Sequence, residues 1–437
     1  MSDISKLARD LVLTDSKNEK EKLAKTILKL AAEKNIFPWS INDLYFARGR
    51  GEFNGFTVPA INLRTLTYDL ARAIFRAAKK INAGAFIFEI AKSEMGYTDQ
   101  IPQEYVSMCL AAAVAEGYNG PVFIQGDHFQ ANAKKYKENP AKEIDSLKLI
   151  ITEAIRAGFY NIDIDSSTLV DISKPTSDEQ QVDNYKVCAE LTKLIREIEP
   201  SEFKVSIGGE IGEVGKENST PEELRAFVNG FNKLINKGVA GISKISIQTG
   251  TSHGGVVLPD GTVAKVKLDF DTLKNLSKLS RDEFGMAGAV QHGASTLPND
   301  AFGKFPEVEA AEVHLATQFQ NIVYDSKHFP KDLRDKMYAW IKENLQSERK
   351  KGQTEEQFIY TARKKALGAF KKDITNIPED VKKKIVADVE KEFEFLFQQL
   401  NIKDTKKIVD KYIKPKAVQH NIKNDAVSIE MDGEGDD

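Results

Sequence analysis

Cysteine is nearly absent. Only Cys109 and Cys188 occur in 437 residues, too few for a disulfide framework, and such usage points to a reducing compartment. Long apolar runs are missing too, and without about 18 consecutive apolar residues no spanning helix is expected. The amino terminus, MSDISKLARD, has no apolar signal core, so a cytoplasmic location is expected. Neither sign of charge dominates. A formal net charge of -3 removes the electrostatic reason to expect nucleic acid or an anionic membrane as a partner. What remains, 41% hydrophobic and 29% charged residues, describes a globular chain with ample core.

One stretch organises the rest: Pro121, Val122, Phe123, Ile124, Gln125, Gly126, Asp127, His128. Its apolar run reads as a buried strand. The glycine and ionisable pair that follow suit a cleft at a strand's carboxyl end better than a core. Other strands end in the same way. Phe56 to Leu63 carries Asn62, and Gly84 to Ile90 runs towards Lys92 and Ser93. Phe159 to Ile164 closes on Asp165, and Lys204 to Ile207 leads into Glu210. Gly241 to Ile247 leads to His253, Gly288 to Gln291 to His292, and Ala311 to Ala316 to Thr317.

Helical segments separate these strands, among them Thr67 to Lys80, Glu104 to Glu116, Ile144 to Ala157 and Glu179 to Glu197. Pro221 to Lys237 opens with proline after a capping Thr220. Eight strand-helix units make a (β/α)8 TIM barrel the expected α/β fold, ahead of a doubly wound sheet. Residues 1–55 read as a helical segment packed on the barrel, 56–325 as the barrel, 326–423 as a helical extension, and 424–437 as a disordered acidic tail. Arg48, Gly49, Arg50 and Gly51 read as a solvated glycine turn ahead of a phosphate grip.

Three of the six histidines stand at glycine-flanked strand ends, His128, His253 and His292. A single buried histidine is usually structural. Three converging imidazoles with an open fourth position suit a catalytic Zn²⁺ acting as a Lewis acid on a carbonyl, with Glu210 as a fourth or alternating ligand. A second divalent or monovalent cation is allowed beside it. Asp127 is the candidate proton shuttle. Gly254, Gly255 and Gly293, with the hydroxyl of Ser295, could cradle a phosphate. His314, His328 and His420 lack the glycine-flanked context and read as structural or surface residues.

Together these motifs resemble the class II, metal-dependent fructose-bisphosphate and tagatose-bisphosphate aldolases, over about Phe56 to Thr317. The family's DH stands as Asp127 and His128, its ID-S segment as Ile164, Asp165 and Ser166, and its ExG as Glu210, Ile211 and Gly212. Its GTxHG runs from Gly250 to Gly254, and its HGGSGxP from His292 to Pro298. The resemblance implies zinc-dependent, reversible cleavage of fructose or tagatose 1,6-bisphosphate to dihydroxyacetone phosphate and glyceraldehyde 3-phosphate. It adds Asp165 to the metal set and Asn62, Lys92, Ser93, Thr317 and Arg363 to the substrate set, the arginine as a phosphate ligand. The family's loop glutamate aligns near Gly215 to Asn218, which leaves Glu213 or Glu217 as catalytic acid. Partners are then a small sugar phosphate and further copies of the chain, as homodimer or homotetramer.

The last strand departs from the pattern. The family's KINIDT-like segment reads Glu312, Val313, His314, Leu315, Ala316, Thr317, so only the threonine survives of the residues that grip dihydroxyacetone phosphate. This keeps two alternatives open: a metal-dependent epimerase or aldolase acting on a keto-sugar or sugar acid, and a non-catalytic aldolase partner subunit.

Overall fold

A computed structural model describes residues 3–212, 217–250, 258 and 268–418. Among the described residues, nine strands form one all-parallel sheet. They are β1 (Pro38–Trp39), β2 (Val58–Asn62), β3 (Ile87–Ala91), β4 (Val122–Gln130), β5 (Asn161–Asp165), β6 (Ser206–Glu210), β7 (Lys244–Ile247), β8 (Ala289–Gln291) and β9 (Glu312–Leu315). Strands β2 to β9 pair in the order β4-β3-β2-β9-β8-β7-β6-β5, and a β4–β5 pairing closes the ring. The short β1 adds to the outside of β4, with Pro38 opposite Val122. The chain is therefore an eight-stranded parallel barrel, as the alternation of strands and helices predicts.

Strands buried on both faces need apolar side chains toward the helices, and Phe88, Ile90, Ile124 and Ile162 supply them. Their neighbours in the period-2 alternation are often polar: Glu89, Gln125, Asp163, Lys244 and Glu312 are all buried. The barrel interior is thus an ionic layer instead of the usual branched aliphatics. Among the described residues, no helix is long and apolar enough to cross a membrane.

The helices start where their caps dictate. Thr220 and Glu223 form a capping box around Pro221, and Asp269 caps Phe270–Phe284, which ends at Gly285 in the left-handed region. Asp3–Leu13 and Lys17–Ala32 pack on Pro102–Glu116. From the carboxyl side, Glu379–Gln399 packs on Thr67–Lys80 and Thr317–Asp325.

Two readings change. Arg48 and Gly49 end a helix, Asn42–Gly49, instead of lying in a solvated turn. The Arg48 guanidinium is buried and donates to the carbonyls of Phe56 (2.6 Å) and Ala310 (3.1 Å), just ahead of β2 and β9. It braces the amino-terminal end of the barrel, away from any phosphate. A Cβ at Gly49 would lie 2.0 Å from the carbonyl oxygen of Gly285, so only glycine allows this approach. The second change is in β4, which continues to Gln130 past the ionisable pair, with its register to β5 shifting between Gly126 and Phe129. The proposed acidic tail, 424–437, lies outside the described residues.

Candidate active site at the carboxyl ends of the barrel strands

On a regular strand Asp127 and His128 would face opposite ways. The irregularity in β4 removes that constraint. His128 takes a positive φ of 38°, rare for a residue with a Cβ, and Phe129 tucks its ring beneath Gly126, where a Cβ would meet it at 2.5 Å. Both side chains therefore line one cavity, with His292, Gly293 and His314.

Around that cavity the imidazoles are held from behind. His128 Nδ1 lies 3.2 Å from Asp165 Oδ2 and 3.6 Å from Glu210 Oε2. Asp165 is itself fixed by Ser167 Oγ (2.7 Å) and Gln130 Nε2 (2.7 Å). His292 Nε2 meets Ser246 Oγ at 2.9 Å. The other two nitrogens, His128 Nε2 and His292 Nδ1, then lie 3.8 and 3.9 Å from Asp127 Oδ1. Ligand atoms of His128, His292 and Asp127 all lie within 4.8 Å of one another, so the two imidazoles are placed to share a cation beside the Asp127 carboxylate. Outer nitrogens anchored to a carboxylate or hydroxyl are the usual support of metal-binding histidines. Asp127, His128 and His292 form one candidate metal group, and His128, Asp165 and Glu210 a second.

Electrostatics point the same way. Burial opposes charge on His128, but Asp127, Asp165 and Glu210 outweigh it and raise the imidazole well above its usual range. Burial would lift Asp165, yet its hydrogen bonds from His128, Ser167 and Gln130 hold it below the ordinary carboxyl range. Glu210 is pushed well up, by burial and then by Asp165. The site is a well for positive charge, whether proton or metal ion.

Of the expected substrate residues, Gly293, Ser295 and Thr317 line the cavity. Asn62, Lys92 and Ser93 do not. Asn62 donates to Glu94, which also binds Arg64, and Lys92 Nζ donates to the Gln130 carbonyl at 3.2 Å. Arg64 lines the cavity instead. Glu217 is exposed. Glu213, His253, Gly254 and Gly255 lie outside the described residues.

Two residues stand apart from the places expected of them. Arg363 is buried away from the cavity, donating to Asp325 Oδ1 (2.8 Å) and Asn321 Oδ1 (2.6 Å), with its guanidinium 4.8 Å from the Tyr360 ring centre. Its charge is already matched, and the neighbouring Lys364 lines the cavity in its place. His314, read from sequence as structural or surface, lies in the centre of the site, its ring 4.0 Å from that of His292. Its Nδ1 is 3.0 Å from Asp127 Oδ1 and its Nε2 is 2.7 Å from Glu312 Oε1. Period-2 alternation along β9 puts residues 312 and 314 on one face, and that signal could have found it.

With this geometry in hand, residues 50–424 match the family described as fructose-bisphosphate aldolase class-II. The plasmid fructose-bisphosphate aldolase of Cupriavidus necator is 22% identical over 267 residues, 57% of this chain and 66% of that protein, just under two thirds of its length. Among solved structures, a fructose-bisphosphate aldolase of Campylobacter jejuni is 18% identical, covering 84% of this chain and 97% of the other at a TM-score of 0.50. A fructuronate-tagaturonate epimerase of Cohnella laeviribosi is 12% identical, covering 89% and 85% at a TM-score of 0.53. At such identities the structural likeness speaks to the fold alone.

Proposed function

Starting from the premise that this chain belongs to the class-II fructose-bisphosphate aldolase family, we propose that it is a lyase that cleaves a ketose bisphosphate between C3 and C4, reversibly and with Zn²⁺. The observation that carries this reading is the convergence of His128 Nε2 and His292 Nδ1 on Asp127 Oδ1, with each ring's outer nitrogen held by Asp165 or Ser246. His128 and His292 would hold the metal, joined by His253 and with Glu210 and Asp165 as the alternative set. Once bound, it supplies Lewis-acid polarisation of the ketose carbonyl.

The chain's own groups do the rest. Asp127, beside the bound sugar, accepts the proton of the C4 hydroxyl. The C3–C4 bond then breaks, C4 leaves as an aldehyde, and the electron pair passes to the carbonyl-bearing fragment. A loop acid, Glu213 or Glu217, returns a proton to C3. Lys364, with Ser295, offers the cationic and hydroxyl contacts for a phosphate.

A second reading, a metal-dependent epimerase or aldolase of a non-phosphorylated keto-sugar or sugar acid, is favoured by Ala316 and His314 replacing the polar pair expected on β9. The test is a panel of ketose bisphosphates and free keto-sugar acids offered to the zinc-loaded protein, with products followed by NMR. Triose phosphates from a bisphosphate support the first reading. Turnover confined to an unphosphorylated sugar acid replaces it with the second.

A further inference from the structure

His314 stands at the asparagine position of the family's KINIDT-like segment and puts there an imidazole that the pattern does not supply. Its two ring nitrogens face carboxylates on opposite sides. Nδ1 lies 3.0 Å from Asp127 Oδ1 and 3.1 Å from Glu89 Oε2, and Nε2 lies 2.7 Å from Glu312 Oε1. Glu312 is fixed in turn from two other strands and a helix. Lys244 Nζ reaches it at 2.5 Å, Gln125 Nε2 at 2.8 Å, and the Tyr45 hydroxyl donates to its second oxygen. Lys244 also binds Asp163 at 2.8 Å and Gln125 Oε1 at 2.7 Å. Every one of these side chains is buried.

A line of hydrogen bonds thus runs from Tyr45, on the helix Asn42–Gly49, through Glu312 and His314 to Asp127. With both nitrogens taken by carboxylates, the ring has no N–H left to offer a substrate. What it can do is hold a carboxylate still. We propose that His314 is a positioning residue that acts through Asp127, fixing its carboxylate by Oδ1 in the orientation that meets the substrate hydroxyl, with Glu312 and Lys244 as the anchor behind it. This rests on the proposed role of Asp127 as proton acceptor.

The test is a double-mutant cycle on the zinc-loaded protein with His314→Leu, His314→Asn and Asp127→Asn. Outer supports of this kind typically carry about 10–100-fold in activity. His314→Leu is expected to lower kcat by about that factor, with KM and bound zinc close to wild type. His314→Asn, which restores an N–H donor near the place of Nδ1, should recover most of the loss. In the Asp127→Asn background, His314→Leu should have no further effect. Multiplicative losses in the cycle, an unchanged kcat in His314→Leu, or a fall in zinc that tracks the fall in kcat would each overturn the proposal.

A second arm needs no substrate. In ¹⁵N-histidine-labelled protein the His314 ring signals, identified by their loss in His314→Asn, should move on Asp127→Asn. Signals that stay in place would also overturn it. A wild type that cleaves no ketose bisphosphate sinks the proposed reaction and leaves this arm to decide the contact.

Discussion

Asp127 and His128 share a cavity only because the backbone between Gly126 and Phe129 departs from strand geometry, and the proposed function gives each a separable task. Removing a nitrogen that holds the metal and removing the proton acceptor should fail differently. His128→Ala and His292→Ala are expected to lose bound zinc and activity together, read by elemental analysis and turnover. Asp127→Asn should retain zinc and lose about 10²–10⁴-fold in turnover, the usual weight of general acid–base catalysis. Near-normal turnover in that variant would move the proton transfer to another carboxylate.

Single elements carry two further predictions. In β4, a methyl at Gly126 would strike the Phe129 ring at 2.5 Å. Overpacking of this kind costs about 1–3 kcal/mol, so Gly126→Ala should lower the melting temperature and weaken zinc binding as the ring is displaced. An unchanged melting temperature would show that the irregularity tolerates a side chain. On the far side of the barrel, the helix Glu379–Gln399 is tied to Thr67–Lys80 by Glu390, which accepts from Arg76 (2.5 Å) and Lys80 (3.2 Å). Burial opposes the Glu390 charge, but Arg76 and Lys80 hold its carboxyl below the usual range. A depressed carboxyl stabilises the fold above its unfolded value, near 4.3, and that contribution is lost as pH falls through the lower folded value. For a partly exposed pair it is about 0.5–1 kcal/mol. The protection factors of amides in this helix, with the intrinsic slowing of exchange at lower pH divided out, should therefore fall on acidification from about pH 5, and Glu390→Gln should flatten that dependence.

Across the whole molecule, the barrel was legible because strand segments with apolar outward residues end in polar or ionisable ones and alternate with helices that carry ordinary caps. The grouping of Asp127, His128, Asp165, Glu210 and His292 followed from barrel closure alone. What stayed hidden depends on contacts between distant strands. His314 looks inert in its own segment, and its importance arises from Asp127 and Glu312 meeting it across the barrel. Arg363 looked available for phosphate because Asp325, 38 residues earlier, gives no local sign of pairing with it. Arg48 looked solvated because the carbonyls it braces lie at Phe56 and Ala310.

We propose that these strand ends form a metal-dependent carbon–carbon cleaving centre. It is tested most directly by measuring bound zinc and ketose bisphosphate cleavage on the same samples, before chelation, after it, and during readdition of Zn²⁺ or Co²⁺. Cleavage is expected to disappear with the metal and to return in proportion to the metal rebound. Full cleavage by the metal-free protein, or a fully loaded protein that cleaves none of the ketose bisphosphates, would contradict it.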